Sequence, residues 1–337
     1  MNYSSCNSEI DIVVTWVDPS DPDWNALRVS HSKSEKYEEV ADFSVARHRD
    51  WDNLRYWFRG VEKFAPWVRK VHFITHGHLP VWLNVNHPKL NIVKHADYID
   101  SKYLPTFNSR VIELNLPFIS DLSEKFVLFN DDFFLIESVD PGDFFQHGFP
   151  CDAAILNAYS GGGLSPIQMN DLYLINNVYN KKRSISSNFF KWFNYRYRWD
   201  LLRTMALLSW PNFTGFKDFH LPQPYLKSNL VKCWGLYTDP IKRTCFSKFR
   251  LKSDINHYLF RYNHLAKGEF RPFNCHRLGR YFQVNDEIAH YVAEHIINQK
   301  SSIVAINDGE LNDFDSIKNI VNRALDHVLP DKSRYEL

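Results

Sequence analysis

At residues 126–135 the sequence reads FVLFNDDFFL, an apolar run that two adjacent carboxylates interrupt. The run is rich in β-forming residues, which predicts a buried strand. An Asp buried without a cation costs free energy, and two neighbouring Asp repel each other. Mg²⁺ or Mn²⁺ would remove both penalties, because hard cations prefer oxygen ligands. The alternative is a strand end closed by an Asx turn, in which Asn130, Asp131 and Asp132 bond their own backbone.

Two further predicted strands also end in polar or acidic side chains. The run IVVTWVD ends at Asp18, and the run IVAIND ends at Asn307 and Asp308. Because helical patterns lie between the strands, the sequence predicts an α/β fold: an open, mostly parallel sheet with flanking helices. Ligands of such sheets bind beyond the carboxyl ends of the strands, where we expect these side chains to meet. Three more side chains are expected at the same metal-and-phosphate site: Arg55, Arg250 and His220.

Helix caps can be predicted at three places. Apolar residues at helical spacing predict a helix over 50–64, with Asp50 as its N-cap. Asn108 or Ser109 is expected to cap a helix that runs to about residue 116. Free N–H groups at that helix start would suit an anion, although plain capping explains the two residues equally well. Asp315 is the predicted cap of the last helix.

A pair of histidines, His76 and His78, flanks Gly77 after a predicted strand at 71–75. Two imidazoles could ligate a metal ion if a third ligand were close by. The sequence offers no third ligand nearby, so the pair is left without an assigned role.

Residues 181–203 form a basic, aromatic stretch with seven cations, seven aromatic side chains and a single acid, Asp200. A helix of this composition can lie on an anionic membrane surface or line a channel for an anionic polymer. It can also be a core helix whose long cations reach solvent. The expected organisation is an α/β part at 1–150 that contains the two adjacent Asp, a helical aromatic-rich insertion at 151–215, and a remainder at 216–337 that completes the same domain as 1–150.

Composition excludes several classes of protein. A formal net charge of +1 gives no general attraction to nucleic acid. The five cysteines lack paired spacing, which argues against a disulfide framework and a zinc site and favours a reducing compartment. We also expect neither a signal peptide before Asp11 nor a membrane span, so the predicted location is cytoplasmic. Peripheral contact at the inner face of the plasma membrane is what the membrane alternative for residues 181–203 would add.

Four blocks of the sequence resemble the stealth family of sugar-1-phosphate transferases. This family includes bacterial capsular polysaccharide phosphotransferases and the catalytic subunit of the animal GlcNAc-1-phosphotransferase. The blocks occur in the family's order. The first two comprise IVVTWVDPSDP at 12–22, NLRYWFRGVEKFAPWVRKVHFITHGHLPVWL at 53–83, LPTFNSRVIE at 104–113 and FVLFNDDFF at 126–134. The third is HLPQPY at 220–225 together with residues 246–254, and the fourth is IVAINDG at 303–309. Pro19 departs from the pattern, because the family commonly has Gly there.

The resemblance implies a nucleotide-sugar-transferase-like fold and a defined reaction. A hexose or hexosamine 1-phosphate would pass from a UDP-sugar, such as UDP-GlcNAc, to a hydroxyl of a growing capsular or lipid-linked polysaccharide. The product would be a phosphodiester, and UMP would be released. No nucleic acid takes part.

The same resemblance assigns roles to individual residues. Asp131 and Asp132 would hold Mg²⁺ or Mn²⁺, with Asn307 and Asp308 as further contributors. His220 would take the proton of the acceptor hydroxyl or, alternatively, form a covalent phosphohistidine. Arg250 would hold the phosphoryl charge. The expected contacts to the donor are Trp16, Asp18, Arg55, Asn108 and Ser109.

Two other functions stay open at this point. A metal-dependent glycosyltransferase would use the same strand-end carboxylates but would release UDP. A non-catalytic, membrane-associated polysaccharide-binding protein would use the aromatic and basic side chains, and its carboxylates would be structural.

Overall fold

The computed structural model describes residues 9–34, 50–160, 162–163, 165–309 and 311–337. Within these ranges the chain forms strands β1 (Ile10–Thr15), β2 (Val71–Thr75), β3 (Leu90–Lys94), β4 (Lys125–Asn130), β5 (Phe133–Leu135), β6 (Phe145–Gln146), β7 (Phe149–Asp152), β8 (Gln223–Leu226), β9 (Arg271–Pro272), β10 (Gly279–Val284) and β11 (Ile303–Asp308).

The α-helices of the described residues are α1 (Pro22–Ser34), α2 (Leu54–Phe64), α3 (Ser109–Leu114), α4 (Pro141–Phe144), α5 (Ser165–Val178), α6 (Lys181–Ser187), α7 (Phe189–Trp192), α8 (Asp200–Ala206), α9 (Lys227–Leu236), α10 (Thr238–Cys245), α11 (Tyr258–Lys267), α12 (Cys275–Leu278), α13 (Ala289–Ile297) and α14 (Phe314–Val328).

The central sheet has five strands in the order β3-β2-β1-β4-β8. The first four run parallel, and β8 is antiparallel to β4. This arrangement confirms the predicted α/β fold with a mostly parallel sheet. From β1 the chain proceeds to β2 on one side, whereas β4 lies on the other side. The strand order therefore reverses between β1 and β4, which is where open α/β sheets bind their ligands.

Both faces of the central sheet are covered, so its strands are apolar on both sides. Alternate residues of β1 enter different clusters: Ile12 and Val14 pack with α2, whereas Val13 packs on the opposite face. The same alternation holds in β4, where Val127 belongs to the first cluster and Phe126 to the second. The period-two geometry of a strand thus explains why these segments read as continuous apolar runs.

The predicted single strand over 126–135 is wrong in one respect. The chain turns at Asp131 and Asp132, and the residues that follow form β5 in a different, three-stranded sheet of order β10-β11-β5. There β5 is antiparallel to β11, with Ala305 opposite Phe133. The two carboxylates therefore lie at the junction of two sheets, which an apolar pattern alone cannot distinguish from one long buried strand.

Helix boundaries differ from the predictions at several caps. The second helix begins at Leu54, after Asn53, so the predicted Asp50 cap is wrong. Asn108 caps α3 as predicted, because its side chain accepts a hydrogen bond from the Arg110 N–H. The last helix is capped by Asp313, not Asp315. Asp and Asn residues within a few positions of each other are equally good caps by composition, and only the backbone geometry selects one of them.

The basic aromatic stretch is not one helix. It is divided into α6, α7, a 3-10 turn at Tyr195–Tyr197 and α8. Trp192 and Tyr197 are buried in the cluster that also contains residues of α11, whereas Phe190, Tyr195 and Trp199 are about four-fifths exposed. None of the helices in the described ranges has the length and apolar character needed to cross a bilayer. The expected domain boundaries at 150 and 215 stay a prediction.

Candidate active site

The carboxyl ends of the parallel strands place most of the predicted site residues along one edge of the central sheet. Thr15 of β1 is opposite Asn130 of β4, so the segments that follow them, with Asp18 and Asp131, begin side by side. Because β8 is antiparallel to β4, its first residue lies near the same end, with Gln223 paired to Leu128. His220, which precedes β8, therefore lies at this edge of the sheet.

Asp131 and Asp132 form the turn between β4 and β5. Asp131 is an exposed residue, but desolvation by the surrounding protein raises the pKa of its carboxyl to about 6, and the charge of Asp50 adds to the shift. Burial raises the pKa of Asp132 to about 8, and the negative charge of Asp131 raises it further. Oδ1 of Asp132 is buried without a hydrogen-bond partner among the described residues. These are the properties of a pair that lacks a counter-charge.

The end of β11 lies beside this turn. The backbone N–H of Ile306 donates to the carbonyl of Asp132 at 2.9 Å, which places the next residues, Asn307 and Asp308, close to the two carboxylates. The side chain of Asn307 donates to the Tyr281 hydroxyl at 3.1 Å. The sequence predicted that these residues would meet because their strands are parallel in one sheet. The structure brings them together through the antiparallel pairing of β5 with β11 instead.

His220 is half-buried between two aromatic rings. It meets Phe133 and Tyr281 edge-to-face, with centroid distances of 5.3 and 4.8 Å. Its backbone is in the left-handed region, with φ of 49°, and its N–H donates to Asp218 at 2.9 Å. Such a backbone is strained for a residue with a Cβ and is concentrated at functional sites. Burial lowers the pKa of His220, and the charge of Asp218 partly opposes this effect.

Arg250 is held by the start of α3. Its guanidinium donates to Oγ of Ser109 at 2.6 Å. Asn108 is buried, and its side-chain NH₂ donates to the carbonyls of Ser247 and Phe249 and to the carboxylate of Asp254. These contacts fix the loop that carries Arg250. Direct donor binding by Asn108 and Ser109 stays a prediction, but the contacts of Asn108 indicate a positioning role.

Trp16, Asp18 and Arg55 lie on the β1 and β2 side of the edge. Trp16 packs on Phe73 at 5.5 Å between ring centroids. One carboxylate oxygen of Asp18 accepts hydrogen bonds from both the N–H and the hydroxyl of Ser20, which is an Asx turn. Arg55, in the first turn of α2, lies over the ring of Trp82 at 5.4 Å. Their contacts with the donor stay a prediction.

Sequence patterns assigned no role to Glu113 and His257, which contact each other next to this site. Nδ1 of His257 lies 2.7 Å from a carboxylate oxygen of Glu113, and both side chains are mostly buried. His257 is close enough to His220 to lower its pKa. One signal was available: Glu113 is four residues after Ser109, so both lie on one face of α3.

The residues of the turn fit a divalent cation that is completed by its substrate. No group of three His, Cys, Asp or Glu in the described ranges is arranged as a metal site. Mg²⁺, however, typically takes one or two carboxylates and obtains other ligands from water and substrate phosphates. Asp131 and Asp132, with the orphaned Oδ1 of the latter, provide such a pair.

Strand-end carboxylates and a strained His thus lie at the carboxyl edge of an open α/β sheet, the edge at which such sheets bind their ligands. The family model for Stealth protein CR1, conserved region 1, matches residues 8–32, and that for Stealth protein CR2, conserved region 2, matches residues 47–151. Relatives match over nearly the full length. The chain therefore belongs to the Stealth family and is a phosphotransferase enzyme, which confirms the resemblance noted in the sequence.

Three relatives illustrate the match. The chain is 42% identical over 332 residues to the capsular polysaccharide phosphotransferase WcwK of Streptococcus pneumoniae, covering 97% of this chain and 98% of that one. It is 34% identical to the exopolysaccharide phosphotransferase cps2G of Lactiplantibacillus plantarum, covering 99% and 98% of the two chains. It is 35% identical to the receptor polysaccharide phosphotransferase WefC of Streptococcus oralis, covering 98% and 100%.

Proposed function

We propose that the protein transfers a hexose or hexosamine 1-phosphate from a UDP-sugar to a hydroxyl of a growing capsular or cell-surface polysaccharide, forming a phosphodiester and releasing UMP. The names of the relatives support phosphotransfer onto a polysaccharide. The observation that carries the proposal is the position of His220 beside the Asp131-Asp132 turn, which follows β4 next to the strand-order reversal of the sheet.

The reaction balances as a displacement at phosphorus. The acceptor oxygen forms a bond to the β-phosphorus, and the bond from that phosphorus to the bridging oxygen breaks. UMP leaves with the electron pair, and the sugar keeps its bond to the transferred phosphate. Charge grows on the phosphoryl oxygens and on UMP, so the residues at this edge must neutralise negative charge.

His220 takes the acceptor proton in this proposal. Its lowered pKa keeps the imidazole neutral at neutral pH, which is the form a general base requires. The two flanking rings hold it in place. The alternative role as a covalent phosphohistidine would use the same neutral ring.

Arg250 holds the phosphoryl oxygens through its planar guanidinium. The hydrogen bond to Ser109 restricts where that group can lie. Trp16, Asp18 and Arg55 are proposed to face the rest of the donor.

Mg²⁺ or Mn²⁺ is the proposed cofactor. Asp131 and Asp132 would hold it, with Asn307 and Asp308 close by, and a bound cation would neutralise charge on the phosphates. A cation there would offset the burial and the neighbouring negative charge that raise the pKa of Asp132.

We also propose that the protein works at the cytoplasmic face of the plasma membrane. Exposed Phe190, Tyr195 and Trp199 project from the short helices after residue 181. Basic side chains accompany them, and the single acid of the stretch, Asp200, is paired with Lys217 at 2.6 Å. Aromatic residues next to cations suit an anionic lipid surface. A lipid-linked acceptor would be found there.

The product nucleotide tests this function. Purified protein is incubated with UDP-GlcNAc and other UDP-hexoses, Mg²⁺ or Mn²⁺, and capsule oligosaccharides. UMP together with a phosphodiester-linked product is the expected result. Release of UDP would replace the proposal with glycosyl transfer, and binding of polysaccharide without turnover would favour a binding protein.

A further inference from the structure

Three imidazoles stand together at the sheet edge, beyond the candidate phosphate site. His76 and His78 follow β2, and His95 follows the neighbouring strand β3. The ring of His76 lies 6.4 Å from that of His78 and 5.8 Å from that of His95, between centroids. Thr75 closes the turn that carries the first two, because its hydroxyl donates to the His78 carbonyl at 2.7 Å and accepts from the Gly77 N–H.

Two of these rings have a buried nitrogen without a partner. The N–H of Asp18 donates to Nε2 of His78 at 2.7 Å, so the neutral ring carries its proton on Nδ1. Nδ1 of His78 and Nδ1 of His95 are buried and lack a hydrogen-bond partner among the described residues. His95 is only 6% exposed. Buried polar groups are nearly always paired, so the cluster is suited to a ligand that supplies the missing partners.

The chemistry of the cluster favours an uncharged ligand. Burial lowers the pKa of His95 to about 3, with His76 and His78 adding to the shift, and burial also lowers the pKa of His78. The rings of His78 and His95 are therefore neutral donors and acceptors at neutral pH. A metal is not favoured, because no three potential ligands in the described part of the chain are arranged to hold one.

We infer that His76, His78 and His95 receive the pyrimidine base of the donor nucleotide. The inference rests on the proposed function, which supplies a UDP-sugar as that donor. Uracil offers two carbonyl oxygens and one N–H, which complement the N–H of His78 and the remaining imidazole nitrogens. Trp16 meets His78 edge-to-face at 5.3 Å and provides an apolar wall on the phosphate side.

The spacing of the strands fits this assignment. Adjacent strands are about 4.8 Å apart, so the ends of β2 and β3 lie about 10 and 14 Å from the end of β4. A ribose and a diphosphate separate the base of a UDP-sugar from its transferred group. The donor would therefore lie along the sheet edge, with its base over β2 and β3 and its β-phosphate at Asp131 and Asp132.

Calorimetric titration with UMP and CMP tests the inference without turnover. His95→Leu removes the buried imidazole and its hydrogen-bonding nitrogens but leaves an apolar side chain of similar length. His76→Ala is a second variant, at a more accessible position. His295→Leu is the matched control, because His295 is equally buried but lies in α13. Circular dichroism verifies that each variant is folded.

We expect wild type to prefer UMP over CMP, and both site variants to bind UMP about tenfold more weakly with the preference reduced. The control should match wild type. UMP affinity and preference unchanged in His95→Leu and His76→Ala would overturn the inference and leave the proposed function standing. If wild type prefers a different base and the variants lose that preference, the base subsite stands and the UDP donor fails.

Discussion

Tyr281 meets His220 edge-to-face, with 4.8 Å between the ring centroids, while its hydroxyl accepts a hydrogen bond from Asn307. The ring therefore links the candidate base to the end of β11. We expect His220→Ala to abolish transfer and to leave UMP binding unchanged. Tyr281→Ala should lower kcat about tenfold, because the imidazole loses one of its two supports. Steady-state kinetics and UMP titration measure these effects.

The matched control is Tyr281→Phe, which keeps the ring and removes only the hydroxyl. Its kcat should stay within about threefold of wild type. Wild-type turnover in His220→Ala would remove His220 from the mechanism, and equal losses in the Phe and Ala variants would show that the hydroxyl, not the ring, matters.

The pH profile should report on His220. A general base must be neutral, so kcat/KM should fall as the pH is lowered and His220 becomes protonated. The midpoint of that fall should lie below the ordinary imidazole pKa near 6.5, because burial lowers the pKa of His220. The charge of Asp218 opposes that shift, whereas His257 reinforces it. Asp218→Asn keeps an oxygen for the His220 N–H but removes the charge. The acid limb should therefore move to lower pH. If the acid limb does not move in Asp218→Asn, that limb does not report the ionisation of His220.

Sequence patterns predicted the central sheet well, because β1, β2 and β4 are continuous runs of β-forming residues buried on both faces. They also located the strand ends, and with them Asp18 and Asp131. The break between β4 and β5 was missed, because consecutive apolar residues resume directly after the two carboxylates, so both strands read as one buried run. Which partner strand each half pairs with depends on long-range contacts.

Side-chain partners were harder to predict than strands. Glu113 and His257 are 144 residues apart in the chain, so local spacing cannot bring them together. Asn108 was predicted correctly as a cap, because capping is local, but its contacts with residues 247–254 depend on the tertiary fold. The assigned roles of the site residues stay a prediction for the same reason.

A metal site at the turn makes a prediction about stability. Asp132 has a buried, unpartnered oxygen next to the charge of Asp131. In metal-free buffer, Asp132→Asn should raise Tm by a few degrees, since it replaces a carboxyl whose charged form burial and the neighbouring Asp131 both disfavour, and it keeps the side-chain shape. Mg²⁺ should raise the Tm of wild type but not that of the variant, which should also lose most activity. Thermal denaturation with and without Mg²⁺ measures this. An equal Mg²⁺ shift in both proteins would place the cation elsewhere.

The base of β1 contains a buried charge cluster that should control acid stability. Asp11 accepts hydrogen bonds from Arg69, His72 and the Ser123 N–H. Burial alone would raise the pKa of Asp11, but these partners lower it to about 2. A carboxyl with a depressed pKa stabilises the folded state above its unfolded pKa near 4 and loses that contribution between about pH 4 and pH 2.

We expect Asp11→Asn to lower the free energy of unfolding by about 2 to 4 kcal/mol at pH 7, with a difference that shrinks below pH 4. Asp121→Asn is the control, because Asp121 contacts the same Arg69 but is exposed. Its effect should stay below about 1 kcal/mol. Urea denaturation across the pH range checks both values, and similar losses in the two variants would contradict the assignment.

The exposed aromatic residues of the basic stretch should bind anionic lipid. Phe190 and Trp199 are 82% and 81% exposed, although large apolar side chains at this level of exposure cost free energy in water. Arg198 and Arg203, also exposed, lie on the same stretch. We expect wild type to co-sediment with vesicles containing phosphatidylglycerol more than with phosphatidylcholine vesicles. Salt should weaken the binding, because it screens exposed charges.

The double variant Phe190→Ser, Trp199→Ser should reduce vesicle binding about tenfold, since two interfacial anchors are removed. Tyr173→Ser is the matched control, because Tyr173 is 67% exposed but lies on α5. Transfer to a short soluble oligosaccharide should be unchanged in both proteins, as these residues lie outside the candidate site. Equal sedimentation of the double variant and wild type would show that Phe190 and Trp199 do not bind the lipid surface. Loss of transfer to the soluble acceptor would indicate instead that these aromatic side chains bind the polysaccharide acceptor.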